Sequence, residues 1–126
     1  MDTSKGQRMK EGMNPLGNIF VSHRAIATVA YQSALQSYGV VGMTAKNFAD
    51  GLSQVLVKDP AKGVDVHFDG HTIEIDLYII VEYGTRIKSV AASVSDAVRY
   101  QVERVFGLPV SQVNVHVRDL RVSNPD

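Results

Sequence analysis

The segment from Val64 to Glu82 constrains the fold more than any other part of the sequence. Val64-Asp65-Val66-His67-Phe68 and His71-Thr72-Ile73-Glu74-Ile75 alternate apolar and polar residues around Asp69-Gly70. A period of two marks a half-buried strand, and Asp-Gly is the pair that a two-residue type I′ turn favours. Such a turn pairs Phe68 with His71, Val66 with Ile73 and Val64 with Ile75. One face then carries Val64, Val66, Phe68, Ile73, Ile75, Leu77, Ile79 and Val81; the other carries Asp65, His67, Thr72, Glu74, Asp76, Tyr78, Ile80 and Glu82. An antiparallel pair with one apolar side needs a cover on that side, so the rest of the chain must supply one.

Helical spacing supplies it. Ser22 is a good N-cap for a helix in which Ile26, Ala27, Ala30, Ala34 and Tyr38 share a stripe, with Gly39 as its stop. Gly39-Val40-Val41-Gly42-Met43 reads as an apolar turn, and Thr44 as the cap of a second helix with Phe48, Leu52, Val55 and Leu56 buried; Pro60 and Gly63 close it. Thr85 can cap a long helix with the stripe Ile87, Val90, Ala91, Val94, Val98, Val102, Val105 and Phe106, ended by Gly107. Its opposite face, Lys88, Asp96, Arg99, Gln101, Glu103 and Arg104, is of solvent type. Val113, Val115 and Val117 alternate with polar neighbours as a last strand. Leu120 and Val122 fall out of phase with it, which predicts a bulge or strand end near Asp119. With Asn18 to Val21 as a first short strand, the order is β-α-α-β-β-α-β: an α+β two-layer sandwich, mostly antiparallel, with helices on one face. Residues 1–16 and 123–126 read as flexible ends around a single domain at 17–122.

Composition narrows the function. The 126 residues contain no cysteine, which excludes disulfides, thiolate metal sites and a cysteine nucleophile. Thirteen basic residues balance thirteen acidic ones, without the basic excess that drives tight nucleic-acid binding. Leu77 to Val81 is the longest aliphatic and aromatic run, far below the roughly 20 residues of a membrane span. With no secretory signal at the N-terminus either, a cytoplasmic location is expected.

Chemistry-bearing patterns are few. His67 and His71 are four apart, but a two-residue turn sends them to opposite sides of the hairpin, so one ion cannot take both. Glu74, Asp76 and Glu82 share a strand face, yet an open sheet offers no cleft in which to desolvate a general acid. Neither a Gly-x-Ser-x-Gly elbow nor a phosphate-binding Gly-Lys-Ser/Thr loop occurs. The expectation is therefore a protein with no catalytic residues, no cofactor and no metal. Gly39-Val40-Val41-Gly42 between two helices follows the order of a KH RNA-binding module with its G-x-x-G loop, although two valines are poor phosphate ligands. Single-stranded RNA binding through Gly39, Val40, Val41 and Gly42 is the alternative reading.

Several segments together resemble one family: Gly17-Asn18-Ile19 with Val21-Ser22, Gly39-Val40-Val41-Gly42-Met43, Lys62-Gly63-Val64, Ile75-Asp76-Leu77-Tyr78-Ile79-Ile80-Val81-Glu82-Tyr83-Gly84, Gly107-Leu108 and Val113-Asn114-Val115-His116-Val117. This run of motifs is similar to the alkaline shock protein family of envelope stress-response proteins. The resemblance implies a non-enzymatic cytoplasmic protein that self-associates and is held at the inner face of the membrane by a partner with its own transmembrane helices. The family positions Asp76, Tyr78, Asn114 and His116 fall on the polar side of their strands. Glu74, Asp76, Tyr78, Ile80, Glu82, Asn114 and His116 are accordingly the expected contact surface. Tyr78 is expected there as an exposed anchor whose truncation changes stability by under about 0.5 kcal/mol.

Overall fold

Strand β3 (Ile73–Glu82) is the axis around which the other elements are placed. The computed structural model describes residues 22–45, 56 and 58–122. The expected first strand at Asn18–Val21, both chain ends, and Phe48, Leu52 and Val55 of the expected second helix lie outside the described residues. Within them the order is α1 (His23–Leu35), β1 (Val40–Met43), α2 (Pro60–Gly63), β2 (Val64–Phe68), β3, α3 (Ile87–Phe106) and β4 (Val110–Arg121).

The two longer helices form as their caps and spacing dictate. The Ser22 side chain accepts from the Ala25 backbone N–H at 3.0 Å, satisfying one of the orphan donors of the first turn. Ile26, Ala27, Ala30 and Ala34 are buried along one stripe. Helix α1 ends at Leu35, earlier than Gly39, and Tyr38 is 81% exposed beyond it rather than part of the stripe. Helix α3 buries Val90, Val94, Val98 and Val102, and Gly107 stops it in the left-handed conformation at φ 69°. Its first cap is Arg86, without a side-chain bond. Thr85, the expected cap, instead donates its hydroxyl to the Glu82 carbonyl at 2.7 Å. Ile87 and Val105 at the ends of the stripe are exposed. Two residues of its polar face do structural work: Glu103 accepts from the Val110 N–H at 2.9 Å, and Arg99 donates to the Val110 carbonyl. The helix thereby fixes where β4 begins.

The sheet has β3 at its centre. One edge of β3 is shared end to end, with β2 antiparallel along Ile73 to Leu77 and β1 antiparallel along Ile79 to Val81. The other edge carries β4, parallel, from Ile73 opposite Val110 to Glu82 opposite Arg121. Two of the three pairings are thus antiparallel, and the parallel one spans the α3 crossover, as parallel neighbours require. Ile73, Ile75, Leu77, Ile79 and Val81 form the core with the buried stripes of α1 and α3. This is the expected α+β sandwich with helices on one face.

Three local expectations are corrected. The hairpin loop has four residues, since Phe68 pairs with Ile73, Val66 with Ile75 and Val64 with Leu77. Asp69 drives this: its carboxylate accepts the N–H groups of His71 at 2.8 Å and Thr72 at 2.9 Å, an Asx-type closure that replaces the type I′ turn. The register moves by two residues, so every side chain keeps its face. Thr44, the expected cap of the second helix, is fully buried in an antiparallel bridge with Leu56, which is 38% exposed rather than buried.

The third correction concerns the segment that the RNA-binding alternative uses. Val40 to Met43 is a strand hydrogen-bonded to β3, not a loop between helices. Gly39 has φ 88°, and a Cβ there would sit 2.6 Å from Val90 Cγ2; a Cβ on Gly42 would sit 2.9 Å from Leu56 Cδ2. These glycines answer to backbone conformation and close packing, and Val40 to Met43 lie in strand β1, so this segment is not the G-x-x-G loop that the alternative needs.

Candidate functional site

The sheet face away from α1 and α3 gathers the polar side chains of three adjacent strands. The pairings set Asp65 of β2 opposite Asp76 of β3, and Asp76 opposite Asn114 of β4. One step along, His67 is opposite Glu74 and Glu74 opposite Gln112; in the other direction Tyr78 is opposite His116. Because side chains alternate strictly across a strand, these residues project to one side as a compact array.

Asp76 is at its centre. Its side chain is only 16% exposed, and its Oδ1 lies 2.9 Å from His116 Nε2. Its Oδ2 lies 3.4 Å from His67 Nε2, and the same nitrogen is 3.4 Å from Asp65 Oδ2. Burial pushes the Asp76 carboxyl up, but hydrogen bonds from His116 and Asn114, with the charges of His116 and His67, outweigh it and hold the group below its ordinary value. Asn114 also donates to Glu74 Oε2 at 3.3 Å and accepts from Gln112 Nε2 at 2.7 Å. The Tyr78 ring stacks on His116 with centroids 4.7 Å apart and planes 11° from parallel, and the Arg118 guanidinium carbon lies 4.9 Å from the same ring centroid. A stacked, cation-capped ring is a rigid support for the imidazole it touches.

Of the expected contact residues, Glu74, Asp76, Tyr78, Asn114 and His116 come together. Ile80 and Glu82 continue the row toward the far end of β3. Two of these positions need correction in exposure. Tyr78 is 8% and Ile80 0% exposed; they lie on the expected face but are buried there, so neither is a free anchor. Asp65 and His67 belong to the array as well: alternation places them on this face although the expected contact set leaves them out, and Gln112 and Arg118 join from β4. A two-residue hairpin turn would have set Asp65 opposite Glu74, and the link between Tyr78 and His116 depends on a parallel β3–β4 pairing that alternation alone does not reveal.

Comparison with known proteins gives the chain its relatives. The chain is 46% identical over 111 residues to the Bacillus subtilis (strain 168) protein YloU, covering 86% of this chain and 92% of that one. It is 32% identical over 103 residues to YqhY of the same organism, covering 81% and 76%. Among solved structures, the zinc form of a MamM CTD variant aligns over 80% of this chain and 89% of its own, at a TM-score of 0.49 and 14% identity. The model of the alkaline shock protein 23 family, described as having a cell envelope-related function, matches residues 11–122. The resemblance visible in the sequence motifs is thereby established: the chain belongs to that cell envelope-related family.

Proposed function

We propose that the chain is a non-enzymatic, self-associating adaptor that works near the inner face of the membrane through a membrane-anchored partner, and that the polar sheet face is its contact surface. The observation that carries the proposal is the array itself. Glu74, Asp76, Asn114 and His116 are held in fixed orientations by one another and by the Tyr78–Arg118 support. Side chains ordered on an open surface lose less freedom on binding than floppy ones do. The same openness argues against catalysis, because a general acid or base works in a site that excludes water. Among the described residues no helix is long and apolar enough to cross a membrane, which is why the reading assigns membrane attachment to a partner.

Sedimentation velocity over a concentration series tests the self-association. The expected result is reversible assembly that His116→Ala and Asn114→Ala weaken at least fivefold at a temperature where melts show each variant fully folded. Assembly unchanged in both variants would move the contact surface elsewhere. Flotation with anionic vesicles tests the attachment: the protein alone is expected to stay with the soluble fraction, and strong co-flotation at physiological salt would refute the partner-mediated reading.

A further inference from the structure

We infer that Asp65, His67 and Asp76 form a binding site for a divalent transition-metal ion of the zinc class, on the β2–β3 side of the polar face. The inference does not rest on the adaptor reading. One oxygen of each aspartate and one nitrogen of His67 all lie within 4.8 Å of one another. A tetrahedral ion with bonds of about 2.0–2.1 Å to nitrogen and oxygen separates its ligand atoms by roughly 3.3–3.4 Å. The two distances from His67 Nε2, to Asp65 Oδ2 and to Asp76 Oδ2, are each 3.4 Å. That is long for a charge-assisted hydrogen bond, which closes to about 2.7–2.9 Å, but it equals a ligand–ligand edge. The third edge, between the two carboxylate oxygens, lies within 4.8 Å, and the two side chains must approach to close it to the tetrahedral length.

Two further features suit a cation. Asp65 and Asp76 are direct cross-strand partners, which brings two carboxylates to the same imidazole. The outer oxygen of Asp76 is fixed by His116 Nε2 at 2.9 Å, the kind of hydrogen bond that orients a ligating carboxylate. One imidazole and two carboxylates favour zinc and its first-row neighbours over the all-oxygen sets of calcium or magnesium. His67 is 56% exposed, so water completes the coordination and the ion enters directly from solvent. His71 sits in the hairpin loop, its backbone N–H bonded to Asp69 Oδ1 at 2.8 Å, and takes no part; the ligands that join His67 are Asp65, two residues back on β2, and Asp76 on β3, not the histidine four residues on.

The full chain, stripped with a chelator and titrated with zinc chloride at neutral pH against a chromophoric zinc indicator, gives the test. One equivalent is expected to bind. His67→Ala and Asp65→Asn should abolish it, His116→Gln should weaken it about tenfold as loss of an orienting hydrogen bond does, and His71→Ala should leave it unchanged. Zinc should also raise the melting temperature of the unmodified chain and not that of His67→Ala, because an ion that binds only the folded state stabilises it. Cobalt in place of zinc should give the intense visible absorption of a tetrahedral centre. Absence of binding, or binding that persists in His67→Ala, would overturn the assignment. Melts of each variant without metal separate lost ligands from lost fold, and assembly measured in chelator separates this site from the adaptor surface.

Discussion

The two faces of β3 bury neighbouring residues of one strand by different means. On the helix side, Ile73, Ile75, Leu77, Ile79 and Val81 are all fully buried beneath α1 and α3, held by apolar contact that is non-directional and roughly proportional to area. On the other side, Glu74, Asp76 and Tyr78 are fixed by hydrogen bonds, a ring stack and a cation. The first arrangement tolerates a change of shape within the same volume; the second depends on direction and charge. One face is therefore expected to govern stability and the other to respond to pH and ligands. The comparison also separates two kinds of burial: Tyr78 and Leu77 are adjacent and nearly equally hidden, but only Leu77 is surrounded by the main core.

Substitutions break or sharpen that contrast in graded order. Leu77→Ala should cost about 2–5 kcal/mol, the range for removing a fully buried aliphatic side chain and leaving a cavity; chemical denaturation measures it, and a loss under 1 kcal/mol would erase the distinction between the faces. Tyr78→Ala should come next, at about 1–3 kcal/mol by the same cavity logic, reduced because the ring lies against polar side chains. This replaces the expectation of an almost neutral change, and equal melts of variant and parent would restore it. Asp76→Asn should cost about 1 kcal/mol near neutrality through weakened hydrogen bonding.

That last effect has a defined pH dependence. The native carboxyl titrates below its ordinary value, so its contribution is present above the unfolded pKa of about 3.9 and is lost as pH falls through the lower native one. The difference between parent and Asp76→Asn should accordingly shrink in melts taken below about pH 4. A difference that stays constant would show that charge is not what holds Asp76. The smallest expected effect is Lys88→Ala on the outer surface of α3, within about 0.5 kcal/mol in the same assay, which sets the baseline for both faces.

The two faces also differed in how far the sequence revealed them. Parity was readable along β3 because alternation fixes it, and it survived the change of hairpin loop because a two-residue register shift preserves the face. The Val90, Val94, Val98 and Val102 stripe and the Gly107 stop were legible for the same reason, since one period governs each helix. The irregularity expected near Asp119 is present as a register shift after Val117, where Ile80 pairs with Asp119 and Arg118 is the extra residue. What could not be read depends on partners distant in the chain. The β1 strand looked like a turn because its ladder partner is β3, and Gly39 and Gly42 looked like loop glycines because Val90 and Leu56, which crowd them, are remote in sequence. Exposure of Tyr78 was misjudged because His116 and Arg118 reach it only when β4 runs parallel to β3. The site followed the same rule: its members were visible one by one, and their assembly was not.

The central position of β3 has a consequence for the time course of folding. Its pairing with β2 closes across four residues, a contact that forms in microseconds. Its pairings with β1 and β4 join segments on opposite sides of the chain, the latter about 40 residues apart at Asp76 and His116. Long closures are slow because the entropy of a large loop is lost before any contact rewards it. The β2–β3 hairpin is thus the natural early template, and the two distant strands must find the same strand independently. Asp65, His67 and Asp76 all lie on that hairpin, so the cation-binding corner is assembled early, while the His116 and Asn114 half of the polar face appears only when β4 docks.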